Sequence, residues 1–217
     1  MALPDILPAE TFVDRLRIRS VKWHLQRFDE LSGLASGDVL AAQMSMPKWT
    51  GDVSLGPMYH ADAAQVQALV ESLDGPMRSF YLYAPQLPYP QHDPDGSNLG
   101  VSMPTLHTIG ANNKSLRVTG LPNGYRLTVG DFLAFEYGAN PVRRAFHRVV
   151  ETVQASSGGL TPLFEVRPHL RPGVVTGLAV ALRKPAAKVF IMPDTFDPGT
   201  AEGLITAGMS FQVMQRP

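Results

Sequence analysis

Apolar and polar residues alternate from Ser20 to Phe28 (SVKWHLQRF), with Val21, Trp23 and Leu25 on one side and Lys22, His24 and Gln26 on the other. A period of two over that length predicts a strand with one buried face. After turn-forming residues from Ser32-Gly33 to Gly37-Asp38, two more strands are expected, Val39–Met46 and Trp49–Leu55, separated by Pro47-Lys48 and closed by Gly56-Pro57. The period then changes. Val66, Leu69, Val70 and Leu73 recur at i, i+3, i+4 and i+7, the apolar stripe of a helix over about 61–73. Asp62 suits its first turn, and Asp74-Gly75-Pro76 supplies a stop. An aromatic strand, Arg78–Tyr83, follows.

Residues 1–19 mix prolines with charges and read as an arm lying over the surface. From Ala84 to Gly100 the chain is dense in Pro, Asp, Gly and Asn, the composition of a loop or linker. Beyond it, short strands are expected at Ser115–Thr119, Tyr125–Leu127, Phe132–Tyr137, Ala145–Gln154, Leu163–Val166 and Leu178–Leu182, with Gly-, Asn- and Pro-containing turns between them. Strands at that spacing predict a small barrel or sandwich. Val189–Met192 and Gly208–Met214 complete the set.

Composition narrows the class. Prolines and glycines number 19 each, which argues against long helices. Only 18% of residues are charged, against 44% hydrophobic, a low share for an isolated soluble domain and one that points to a surface partly covered by partners. Lys+Arg and Asp+Glu both number 19, so no net field favours nucleic acid or an anionic membrane. Without cysteine there is no disulfide scaffold, thiolate metal site or cysteine nucleophile. The first residues lack the features of a signal peptide and no apolar run reaches about 18 residues, so folding in a cytoplasm and no membrane segment are expected.

Candidate chemistry is sparse. His24, His60, His92, His107, His147 and His169 form no i, i+4 pair, so neither metal nor other cofactor is expected. Asp93-Pro94-Asp95-Gly96-Ser97-Asn98 has the start of a calcium loop, but the twelfth position, where a bidentate Glu is needed, is Pro104. No nucleophile elbow, phosphate loop or dinucleotide fingerprint occurs. Asp131 and Glu136 could serve a glycosidase only if folding paired them. Arg143, Arg144 and Arg148 make a small basic patch, read as a solvated turn before a site for anions or partners. Trp23, Trp49 and the Phe80-Tyr81-Tyr83 cluster could stack on sugars, but at strand spacing they read first as core or interface anchors.

One longer pattern carries more. WTGDVSLGPMYHADAAQVQALVESLDGPMRSFYLYAP runs from a Trp-containing strand through a Pro-Met segment and an Ala-rich helix to an aromatic strand. It resembles the distal tail proteins of long non-contractile-tailed bacteriophages, a family that includes the minor tail protein M type. Ala68-Leu69-Val70, Leu73, Gly75, Phe80, Leu82 and Pro85 stand where that family has its packing residues. LTVGDFLAFEYG and AFHRVVETVQASSGGLTPLFEVRPHLR resemble the small barrel inserted in prophage members, and AGMSFQVMQRP the closing strand. The Pro-rich stretch 84–100 departs from the pattern.

The resemblance implies a mainly β fold: a sandwich or split-barrel ring-forming domain with one short helix (20–84 and 186–217), carrying an inserted small barrel (85–185), with 1–19 as an arm. It implies a non-enzymatic tail-tip protein of a phage or of a phage-derived particle such as a gene transfer agent, located in the virion tail. Its copies would form a ring, usually of six, between the tail tube protein and the hub or baseplate. The inserted barrel would carry receptor-binding proteins or, as in some relatives, bind surface glycan. Trp23, Trp49, Leu69, Leu73, Phe80 and Leu82 are the packing or assembly candidates. The alternative is a β-sandwich carbohydrate-binding module.

Overall fold

A computed structural model describes residues 4–33 and 35–216. The chain begins with β1 (Ile6–Leu7), a single 3-10 turn (Val13–Arg15), β2 (Ile18–Gly33), β3 (Val39–Leu55), β4 (Met58–Tyr59), α1 (His60–Glu71) and β5 (Ser79–Leu82). A second block holds β6 (Thr105–Ile109), β7 (Ser115–Thr119), β8 (Arg126–Leu127), β9 (Phe132–Tyr137), β10 (Arg143–Val149), β11 (Val153–Gln154), β12 (Phe164–Arg167) and β13 (Val180–Ala181). The chain then returns through β14 (Ala187–Ile191), β15 (Thr200–Glu202), β16 (Ile205–Ala207) and β17 (Ser210–Gln215). The fold is mainly β with one short helix.

The first and last parts of the chain share one six-stranded sheet in the order β1-β5-β14-β17-β3-β2. The middle forms a second, β13-β9-β10-β12-β7-β6, whose ends meet at a bridge between Thr105 and Ala179. Bonds from Leu106 N to the Leu178 carbonyl and from Val180 N to the Pro104 carbonyl, both 2.8 Å, nearly close it into a barrel. Closure removes exposed edges.

Strands β9 and β10 are buried on both faces. Leu133, Phe135, Tyr137, Ala145 and Val149 point into the barrel, while Phe132, Ala134 and Phe146 join the core under the first sheet. That explains the unbroken apolar run FLAF, since a strand with two buried faces has no polar side to alternate with. Phe132 and Phe146 stack at 4.7 Å, and Trp49 of the first sheet meets both edge-on at 5.7 Å. Arg148 lies against Trp49 and Phe132, its guanidinium 4.8 and 4.7 Å from the two rings.

The helix forms where the stripe predicts. Ala63, Val66 and Val70 are buried, and Leu73, just past its end, is fully enclosed. Asp62 pairs with Arg17 at 3.1 Å, and the chain leaves through Asp74 and Gly75, both at positive φ.

Other expectations need correction. The predicted surface arm is built into the core, apart from residues 1–3, which lie outside the described residues. Ile6–Leu7 pairs in parallel with Ser79–Phe80, and Leu7, Phe12, Val13 and Leu16 are buried. The prolines set up this turn rather than an extended run: Pro8 O accepts from both Thr11 N and Phe12 N at 3.2 Å. The two strands expected on either side of Pro47 are one, because the proline sits at a bulge where the register shifts between Gln26 and Phe28 and needs no N–H of its own. The single strand expected over Ala145–Gln154 is broken into β10 and β11. Strand β6 and the hairpin of β15 and β16 had no counterpart in the pattern.

The Pro-rich stretch 84–100 is an ordered loop along the barrel. Buried Asp93 accepts from Asn98 N and Leu99 N, both at 2.9 Å, and from the Tyr125 hydroxyl at 3.1 Å. Asp131 accepts from Gln91 N at 2.9 Å, and Arg183 donates to the carbonyls of Gly96 and Gly100.

Candidate assembly surface

Strands β2 and β3 pair along almost their whole length, from Ile18↔Leu55 to Gly33↔Val39. Only the half nearest the core has something to cover. Val21, Trp23 and Leu25 pack on the first core, whereas 29–33 and 39–45 are exposed throughout. The hairpin therefore leaves the body as a two-stranded ribbon reaching roughly 20 Å beyond it, at about 3.3 Å per residue.

The ribbon is not a polar spur. Leu31 is 69% exposed, Met44 67%, Val39 63% and Leu40 58%. By register, Leu31, Ala41 and Val39 share one face, and Leu40 and Ala42 the other. A lone two-stranded ribbon is marginal in water, so apolar residues on both faces are unexplained by this chain's own packing. Strand β2 is also the last strand of its sheet, and among the described residues no strand bonds along its outer edge. Long edges of that kind are templates for pairing with another chain. Arg27 pairs with Asp29 at 2.6 Å, leaving Glu30 and Asp38 to make the ribbon weakly acidic.

The six packing or assembly candidates lie elsewhere. Leu73, Phe80 and Leu82 are fully enclosed, and Leu69 is partly buried, lining an open groove with Arg15, Arg17 and Met58. Trp49 is 1% exposed, and its indole N–H donates to the Phe146 carbonyl at 2.8 Å, tying first sheet to barrel. Trp23 packs on Phe146 at 5.3 Å, and its own Nε1 is buried with no hydrogen-bond partner among the described residues. All six contribute to packing inside the chain. The sequence pattern predicts a turn at Ser32–Asp38 and a strand over Val39–Met46 but no strand past Phe28; the exposed apolar residues on both faces are the signal that marks the ribbon.

The candidate catalytic carboxylates have structural partners. Asp131 is buried, accepting from Gln91 N and, at 2.7 Å, from Thr128 N. Glu136, on the outside of β9, accepts from Arg144 at 3.0 Å and from the Tyr81 hydroxyl at 3.2 Å. His147 is buried with Nδ1 2.8 Å from the Pro168 carbonyl, and burial pulls its pKa down to about 4. Among the described residues, no three His, Asp or Glu side chains converge as metal ligands, and no helix is long and apolar enough to cross a membrane.

The chain matches no protein-family model and no curated protein.

Proposed function

We propose that this chain is a structural, non-enzymatic component of a phage-type tail tip whose copies close into a ring between the tail tube and the tip hub. The observation that carries the reading is the ribbon: an apolar two-stranded extension of the sheet's last strand, whose outer edge pairs with no strand among the described residues. Such a surface fits a head-to-tail contact, in which one patch of each copy meets a different patch of the next, and such contacts form closed rings when the rotation allows. The resemblance of the Trp49–Pro85 stretch to distal tail proteins supplies the particle, the six-fold expectation and the neighbours above and below. On this reading the barrel faces outward and carries receptor-binding proteins or meets surface glycan.

A carbohydrate-binding module is less favoured because the aromatics singled out for sugar stacking are engaged inside the chain, Tyr81 among them with the Arg144 guanidinium 4.6 Å from its ring. Trp49, Phe80 and Tyr83 are buried, and Trp23 is packed against Phe146.

Light scattering on the eluting protein, with electron microscopy of the same fractions, tests the ring. The expected outcome is a closed oligomer with a central channel, lost when 29–43 are replaced by a short Gly-Ser turn while the thermal midpoint of the body is kept. A protein that stays monomeric at every concentration and is absent from any particle would overturn the reading.

A further inference from the structure

Outside β9 and β13 the barrel carries an open groove of about 490 Å³, with Leu99, Met103, Pro104, Ala134, Ala179 and Leu182 among its walls. Its lining is mostly apolar, and two opposed alanines, Ala134 on β9 and Ala181 on β13, are too short to fill it. The segment that forms one wall is apolar on its outside too. Val101 is 97% exposed and Met103 85%, more than any other large apolar side chain among the described residues.

The groove and the ribbon lie on opposite flanks. Glu136 and Arg144, which line the groove, both meet Tyr81 of β5, and Arg144 also donates to the Ala186 carbonyl beside β14. In the first sheet β14, β17 and β3 separate β5 from β2, which is four strand spacings or about 19 Å. A head-to-tail contact needs that arrangement, one patch meeting a different patch of the next copy. Charge agrees. Glu136 neutralises Arg144, whereas Arg183 has no carboxylate partner among the described residues and donates to the carbonyls of Gly96 and Gly100. The groove is therefore left positive, and the ribbon is left negative by Glu30 and Asp38. Size agrees as well. An emptied leucine-sized site measures roughly 150 Å³, so the groove has room for a few such side chains. One ribbon face offers Leu40 and Ala42, with Glu30 directly opposite Ala42 and exposed Met44 two residues further along.

We infer that this groove receives the ribbon of the next copy of the chain, Leu40 and Met44 filling its apolar part and Glu30 turned toward Arg183. The contact is the receiving side of the ring proposed above and presupposes that ring. It covers two apolar surfaces that pack on nothing in their own chain. Ribbon residues 29–33 and 39–45 fall short of the about 20–30 residues a side that hold a stable pair. Two copies alone therefore associate weakly, and closure of the ring, in which every copy gives one ribbon and accepts another, holds the assembly.

The chain has no cysteine, so reactive pairs can be introduced without background. With Leu40→Cys and Met103→Cys in one chain, a short bismaleimide should join each copy to the next and give a ladder of covalent oligomers up to the full ring. An equal mixture of the two single variants should stop at pairs, since each chain then carries one reactive site. Met103→Glu should weaken self-association about tenfold or more, by setting like charge against the ribbon. Met103→Lys should not, and both variants should keep the wild-type thermal midpoint because Met103 is exposed. A ring seen by electron microscopy with no ladder, or one that Met103→Glu leaves equally stable, would overturn the docking and leave the ring standing. A monomer at every concentration would overturn both.

Discussion

Trp23 lies across Gly51 of the neighbouring strand, its Cε3 only 3.2 Å from where a Cβ on that glycine would stand. Val213 closes the other side at 3.3 Å. The notch lets the indole lie flat over β3 and reach Trp49 and Phe146. A branched side chain at residue 51 has no room, so Gly51→Val is expected to destabilise by about 1–3 kcal/mol. Chemical denaturation gives the value; a midpoint equal to wild type would mean that the indole can swing aside at no cost.

Leu73 connects helix to sheet. It is fully enclosed although it stands beyond the last helical residue. Leu73→Ala should cost about 2–5 kcal/mol, the range for emptying a packed leucine site. For a chain of this size that lowers the melting temperature by several degrees at least. A shift of a degree or less would show that the helix closes over the gap.

Asp93 organises the Pro-rich loop by taking two backbone N–H groups and the Tyr125 hydroxyl. Desolvation first, and then Asp93, pushes that phenol far above the ordinary tyrosine range. Asp93→Ala would leave these donors unmatched and should cost about 3 kcal/mol or more. Limited proteolysis reads the local effect: cleavage within 84–104 should appear at protease levels that leave the wild-type loop intact.

His147 makes stability depend on acid. Its folded pKa of about 4 lies below the unfolded value of 6.5, so between those limits the unfolded chain takes up a proton that the folded chain refuses. Stability is therefore full above pH 6.5 and falls as the pH drops toward 4, by about 3 kcal/mol from this residue alone. NMR titration of the imidazole checks the premise. The His147 ring signals should stay at their neutral positions from pH 7 to pH 5, where an exposed histidine would already have moved.

Where one face is buried and the other wet, the sequence was a good guide. The stripe Val66, Leu69, Val70, Leu73 gives the helix to within about two residues, and the alternation around Trp23 gives the packed part of β2, though not its run to Gly33. Legibility failed where that contrast vanishes. Phe12, Val13 and Leu16 were hidden among Asp5, Glu10, Asp14, Arg15 and Arg17, because a short turn buries three side chains and leaves the charges between them in water. Half of the ribbon, the strand from Val39, was legible; the run of β2 past Phe28 was not, because both its faces are exposed and no alternation marks it. The Asp93 clamp depends on backbone N–H groups and on a tyrosine far along the chain, which no local pattern reports.

The shared wall of β9 and β10 limits how this protein can be rearranged. Phe132, Ala134 and Phe146 face out of the barrel into the other core, held there by Trp49. A barrel cut out along its strand boundaries would carry that apolar face into solvent, and the sheet left behind would lose the cover over its tryptophans. The barrel is thus no exchangeable cassette: a recombinant that swapped it between related chains would stay folded only if the incoming barrel brought an aromatic outer face matched to Trp23 and Trp49.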